Sequence, residues 1–243
     1  MQTFKSLDIP DDAKHAIVNG IFTAVTHDIP DIIQDYNLPT NNGVGLFRWN
    51  LIHKRVEENL AGRYQLSYAP RGPWKLLFLF EQELGFTFSI MAEKNLSRLQ
   101  DHLPEGIHYL EALISKNTGY KVIEGQMRLP GCDIKRDASA VEKLRDKLLN
   151  DFAGIISNHI LILFDYNFNK VISARAVLLT PNLEIAYSED WSIFLKTPYT
   201  IGKASIVEEM TEETPLVRLK SDKVSKPDSE FVSLPEEANV ANK

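Results

Sequence analysis

Apolar positions recur along this chain at two spacings, and each change of spacing marks a new element. From Asp11 onward Ala16, Ile17, Ile21, Phe22 and Val25 fall at helical intervals. The acidic pair Asp11-Asp12 suits the free amides of a first turn. Pro30 is expected to interrupt this helix, leaving 31–36 as a short second turn. A loop over 38–43 leads to a second amphipathic helix over 46–60. Leu46, Trp49, Ile52, His53, Val56 and Leu60 line one of its faces, and Gly62 caps its end.

At Tyr64 the spacing becomes alternation. Tyr64, Leu66 and Tyr68 mark a strand, Arg71-Gly72-Pro73 a turn, and 74–80 a run apolar enough to be covered on both faces. An acidic turn over 81–85 precedes a third strand carrying Phe86, Phe88 and Ile90. Two short helical segments separated by Pro104 are predicted between 93 and 113, followed by an irregular stretch over 118–136 with strand character at 120–123. A helix over 138–152 buries Val141, Leu144, Leu148 and Phe152. Strands at 159–165, 171–179 and 183–187 then form a second meander. The order of a helix and three strands thus occurs twice, roughly a hundred residues apart, a spacing beyond solenoid periods. The halves share no residue-level identity, so two independent uses of hairpins explain the pattern better than a repeat.

These elements predict an α+β fold of two antiparallel three-stranded meanders packed with amphipathic helices. It would occupy 1–202, either whole or as sub-lobes 1–117 and 118–202. Residues 203–243 are too polar to offset chain entropy by burial and read as a disordered tail, with Phe231, Val232 and Leu234 as a short docking motif.

Composition narrows the function classes. The 243 residues are 44% hydrophobic and 25% charged, ample for a sizeable core. A net charge of −6 argues against a generic charge-driven nucleic-acid binder and leaves a local basic patch open. Cys132 is the single cysteine, in a turn-like Leu-Pro-Gly-Cys-Asp segment, so no internal disulfide forms and the thiol reads as unremarkable. The N-terminus lacks a signal-peptide pattern and no apolar run reaches membrane-spanning length, so the expected location is the cytoplasm.

No catalytic motif is assembled. There is no His-Glu-x-x-His; Pro104 and Gly106 separate His102 from His108, and His53 with Glu57 reads as a surface pair on one helix face. The acid-x-Lys spacing of PD-(D/E)xK nucleases occurs at Asp12-Ala13-Lys14 and Asp133-Ile134-Lys135, neither on a predicted core strand. Asp165, Glu93 and Glu81, with Glu184, would have to meet in the fold to hold Mg²⁺ or Mn²⁺. Nucleotide-binding glycine loops and a nucleophile elbow are absent, and Ser89 is expected to face solvent or pack beside the sheet. The remaining candidate surface is aromatic and basic: Arg48, Trp49, Tyr64, Tyr68, Arg71, Trp74 and Lys75. Within it the two tryptophans read as core packing between helix and sheet, and Arg71, Trp74, Lys75 and Arg48 as the binding residues.

The segments Phe47-Arg48-Trp49-Asn50-Leu51-Ile52, Arg71-Gly72-Pro73-Trp74-Lys75 and Phe88 to Leu96 together resemble an uncharacterised family of Firmicutes and prophage proteins, over residues 44–100. The resemblance implies an antitoxin-like or phage-defence-associated component. The expectation is therefore an intracellular interaction protein without a cofactor, which binds a partner protein such as a neighbouring gene's product. The alternative is a divalent-metal nuclease or other nucleic-acid-acting protein, including direct binding through the Arg71–Lys75 turn.

Overall fold

A computed structural model describes residues 2–37, 40, 42–71, 74–123, 136–152 and 156–196. Cys132, the Asp133–Lys135 triplet, the 203–243 tail and its Phe231 and Leu234 lie outside the described residues.

Helix α1 (Asp11–Thr23) runs through one π turn, Ala24–Asp28, into α2 (Ile29–Asp35). Pro30 therefore does not break the helix. The wider π turn precedes α2, whose first turn holds Pro30 where no N–H is needed, and Thr26 Oγ1 is left buried without a partner among the described residues. Helix α3 (Val44–Asn59) crosses α1 so closely that a Cβ on Gly20 would lie 2.9 Å from the Val56 backbone nitrogen. Gly62, at φ +76°, turns the chain out of α3.

The strands are β1 (Gln65–Arg71), β2 (Trp74–Glu81), β3 (Phe86–Ala92), β4 (Asn158–Asn167), β5 (Lys170–Leu179) and β6 (Ile185–Asp190). Both predicted meanders are present, but they do not pack as separate sheets. They join edge to edge in one six-stranded sheet, ordered β1 to β6, through a parallel β3–β4 seam. A parallel pair needs a long crossover, which α4 (Glu93–Asp101), α5 (Tyr109–Leu113) and α6 (Ala138–Leu148) supply.

Alternation on the strands divides the core in two. Leu77, Leu79, Phe88, Ile90, Ile162 and Phe164 face α1 and α3; Phe78, Phe80, Met91, Leu161, Leu163 and Val177 face α4, α5 and α6. Each such side chain, removed from water, contributes about 1.5–3 kcal/mol.

The parallel seam also buries polar groups. His159 is fully buried between Thr87 Oγ1 and Ser89 Oγ, each 2.9 Å from one ring nitrogen. One nitrogen donates and the other accepts, so the neutral ring is satisfied, and burial holds its pKa at about 3. Ser89, expected at the surface or beside the sheet, is thus an interior bond partner. Asn117 completes the lock: its amide donates to the His159 and Leu179 carbonyls at 2.8 and 2.9 Å, and its oxygen accepts the His159 N–H at 2.9 Å. Among the described residues, no helix is long and apolar enough to cross a membrane.

Candidate functional site

β1 and β2 stay paired over seven positions, as do β3 and β4. Between these two ribbons, β2 and β3 pair only from Glu81↔Phe86 to Leu79↔Phe88. Each ribbon twists as a unit, so the sheet parts at the carboxyl end of β3. A continued ladder would set Leu76 opposite Met91; both instead line a cavity of about 440 Å³. Its other walls come from both sides of the sheet. Trp49 and His53 of α3 with Ile90 belong to one core side, Met91 and Tyr109 to the other. The cavity therefore passes through the plane of the sheet. Arg71, Trp74 and Lys75 stand at its mouth, and Asn95 of α4 and His108 complete it.

Two further cavities share these walls. One of about 510 Å³ runs along α3 past Leu46, Lys54, Glu57, Tyr68, Trp74 and Lys75. The other, of about 430 Å³, runs from Arg71 and His108 to Lys147 on α6. Each adjoins the first cavity through shared lining residues, one on the α3 side of the sheet and the other on the α5 and α6 side. The three thus outline a groove around this end of the sheet, each in the size range of ligand sites.

Electrostatically the groove is cationic at its edges and neutral at its centre. Burial pushes His53 down to about 4 against the opposing pull of Glu57. Burial, then the Arg71 charge, does the same to His108. Both rings are uncharged at neutral pH. The acid in the groove, Glu57, accepts from the Tyr68 hydroxyl at 2.6 Å, which blunts its repulsion of an anion. Burial pushes the Tyr109 hydroxyl up to about 12, so it stays protonated.

Arg71 is held loosely. Its guanidinium lies 4.2 Å over the Tyr109 ring, with Nη2 3.2 Å from His108 Nε2. His108 Nδ1 also faces the Leu110 N–H, at 3.3 Å, as the cap of α5. A neutral imidazole carries one hydrogen and can accept from only one of these two donors. With Nδ1 accepting as the cap of α5, Nε2 carries the ring hydrogen and offers Arg71 no acceptor, so the guanidinium keeps its donors for a ligand. Elsewhere Arg55, Arg63, Arg136, Arg145 and Arg175 all sit in carboxylate ion pairs. Arg71 and Arg48 instead lie on tyrosine rings, and neither has an ion pair among the described residues.

Of the sequence-predicted binding residues, Arg71, Trp74 and Lys75 come together here. Arg48 does not: it points to Tyr166 at the end of β4. Tyr64 packs on Phe88 in the core. Trp74 is 41% exposed, which corrects its reading as core; Trp49 packs on Phe164 as expected and also lines the cavity. The acidic trio is not assembled. Glu93 follows β3 and is level with Asp165 across the seam, but Glu81 pairs with Phe86 at the start of β3, about 20 Å away at strand rise. Glu93 is bound to Arg175, and Asp165 accepts the Tyr166 N–H. No group of three or more metal-binding side chains occurs among the described residues.

Local spacing does not mark His53, His108, Tyr109 and Asn95 as cavity walls. The one sequence signal was Pro104-Glu105-Gly106 ahead of His108 and Tyr109, which announces a helix start but not that Arg71 reaches it from 37 residues away.

Compared with known proteins, residues 6–234 match a family of unknown function (DUF5986). No curated protein and no solved structure matches the chain.

Proposed function

The chain belongs to the DUF5986 family, whose function is unknown, and we propose that it is a binding protein whose split-sheet groove takes single-stranded nucleic acid. The observation that carries this reading is the conjunction of aromatic rings and cations along one groove; Lys54 pairs with Glu58 at 3.8 Å, whereas Arg71, Lys75 and Lys147 have no ion pair among the described residues. Trp74 and Tyr68 present exposed rings to it, Trp49 and the buried Tyr109 line it more deeply, and Arg71, Lys75, Lys54 and Lys147 stand beside them. Every base has a π face, so stacking on such rings contributes about 1–3 kcal/mol per base without sequence preference. The cations meet the backbone and release its counterions. Neutral His53 and His108 offer hydrogen bonds without adding charge. The net charge of −6 is compatible with this, because the basic groups are local.

The test is fluorescence anisotropy with labelled single strands of about 12 nucleotides, a length that spans a typical strand-binding groove. Affinity should fall with salt, and Arg71→Ala with Lys75→Ala should weaken it at least tenfold and reduce the log–log salt slope by about 1.4. Chelator should leave binding unchanged. Absence of binding at high micromolar protein in low salt, or indifference to the double substitution, overturns the reading.

One observation favours a second reading, an extended segment of a partner protein. Where the sheet parts, β2 and β3 each present an edge that could take a peptide by main-chain hydrogen bonding. An antitoxin-like or defence-associated role would act this way. A partner peptide that competes with the oligonucleotide would place both at the groove; one that binds when Arg71 and Lys75 are replaced would favour the peptide.

A further inference from the structure

Beside the groove, at the ends of β3 and β4, a second cluster has a different character. Arg48 of α3 lies with its guanidinium carbon 4.3 Å from the Tyr166 ring centre and donates from Nη1 to the Tyr166 hydroxyl at 2.8 Å. Lys94, in the first turn of α4, brings its ammonium to 4.7 Å from the same ring. Two like charges on one ring repel, and no ion pair is formed by either among the described residues. The nearest carboxylates in the register are committed elsewhere: Glu93 to Arg175, and Asp165 to the Tyr166 N–H at 2.8 Å. Arg48 Nε is buried and has no hydrogen-bond partner among the described residues. A register shift between Asp165 and Tyr166, the mark of a bulge, falls at the residue whose ring both cations approach.

We infer that Arg48 and Lys94 form a phosphate-binding subsite over Tyr166. A phosphate monoester supplies what both side chains lack, a negative charge beside two cations without a carboxylate partner, and offers oxygen acceptors to the outer N–H groups of the guanidinium. The subsite rests on its own geometry, and the groove reading gives it a natural ligand, the phosphorylated end of a bound strand. Free phosphate presents the same chemistry.

Inorganic phosphate is the first probe, added up to about 20 mM at constant ionic strength while thermal unfolding is followed. Wild-type protein should show a saturable rise in Tm of about 5 °C. Lys94→Gln, at an exposed position that leaves packing intact, should abolish it; Arg48→Gln should do the same. The second arm compares 5′-phosphorylated with 5′-hydroxyl oligonucleotides of one sequence. A roughly tenfold preference for the phosphorylated strand, lost in Lys94→Gln, identifies a strand end as the source. Equal affinities together with the phosphate-dependent rise identify free phosphate instead, and still support the subsite. A rise that both variants retain, or no rise together with no 5′-phosphate preference, overturns the inference. If neither oligonucleotide binds, the groove reading fails while the phosphate arm still decides this one.

Discussion

Along β4, strand β3 stays in register for seven positions and buries Thr87 and Ser89 against His159; along β2 it keeps three positions and then leaves its neighbour. The two edges of one strand thus handle polarity in opposite ways. On the closed edge each polar group finds its partner inside the protein: hydroxyl to imidazole, and the Asn117 amide to the backbone. On the open edge Arg71 competes with a backbone amide for one imidazole, and Trp74 is left half in water. A buried polar network that is fully satisfied rigidifies the strand it belongs to. The closed edge thus anchors β3 in the sheet beside the edge that is left open.

The largest effect expected from breaking this contrast is at the closed edge. His159→Ala would remove a ring packed near Phe78 and leave the Thr87 and Ser89 hydroxyls without their shared partner in a dry interior. Cavity and unsatisfied-group costs together predict a loss of about 3–5 kcal/mol in unfolding free energy. Denaturant unfolding measures it. A loss under about 1 kcal/mol would mean that the seam relaxes easily and that the closed edge is no lock.

The contrast was only half legible in the sequence, for physical reasons. Alternation identifies strands and faces, and Gly62 and the acidic 81–85 turn identify where the chain reverses, so both meanders could be read. Alternation does not say which edge of a strand meets which partner. The β3–β4 seam depends on a crossover of three helices and on His159 meeting hydroxyls some 70 residues away. The groove was legible to the extent that it is local. Arg71, Trp74 and Lys75 belong to one hairpin, and their composition betrays them. The apolar run suggests that Trp74 is buried, whereas the run becomes buried only from Leu77. His108 and Tyr109 join through tertiary packing that no local spacing encodes.

A smaller effect compares the edges through acid. His159 on the closed edge and His53 at the groove both have folded pKa values below the unfolded 6.5, at about 3 and about 4, chiefly through burial. Between those values the unfolded chain binds the extra protons. Stability is therefore full above pH 6.5 and is lost as pH falls toward the folded values. From pH 7 to pH 5 each ring should withdraw about 2 kcal/mol. Unfolding at both pH values, repeated with His53→Gln, isolates one share: that variant should lose about 2 kcal/mol less over the interval. His108 shifts the same way and adds to the slope. An identical pH dependence in wild type and variant would show that His53 is not held neutral by the fold.

The smallest expected change in stability is at the open edge, and it makes the sharpest separation between the two. Trp74 begins β2, is 41% exposed and stands at the cavity mouth. Trp74→Ala removes stacking area without opening a void in either core, so unfolding free energy should move by no more than about 1 kcal/mol. Strand binding should nonetheless weaken about tenfold, the loss of one stacked base. Trp191, with Trp49 and Trp74 the only tryptophans, is fully buried, so quenching of indole fluorescence by a bound strand reports on the other two. Trp74→Phe should reduce that quenching while retaining most of the affinity, since a phenyl ring still stacks. A Trp74→Ala protein that unfolds several kcal/mol more easily would instead place this residue among those that hold the sheet together, and the open edge would then be structural.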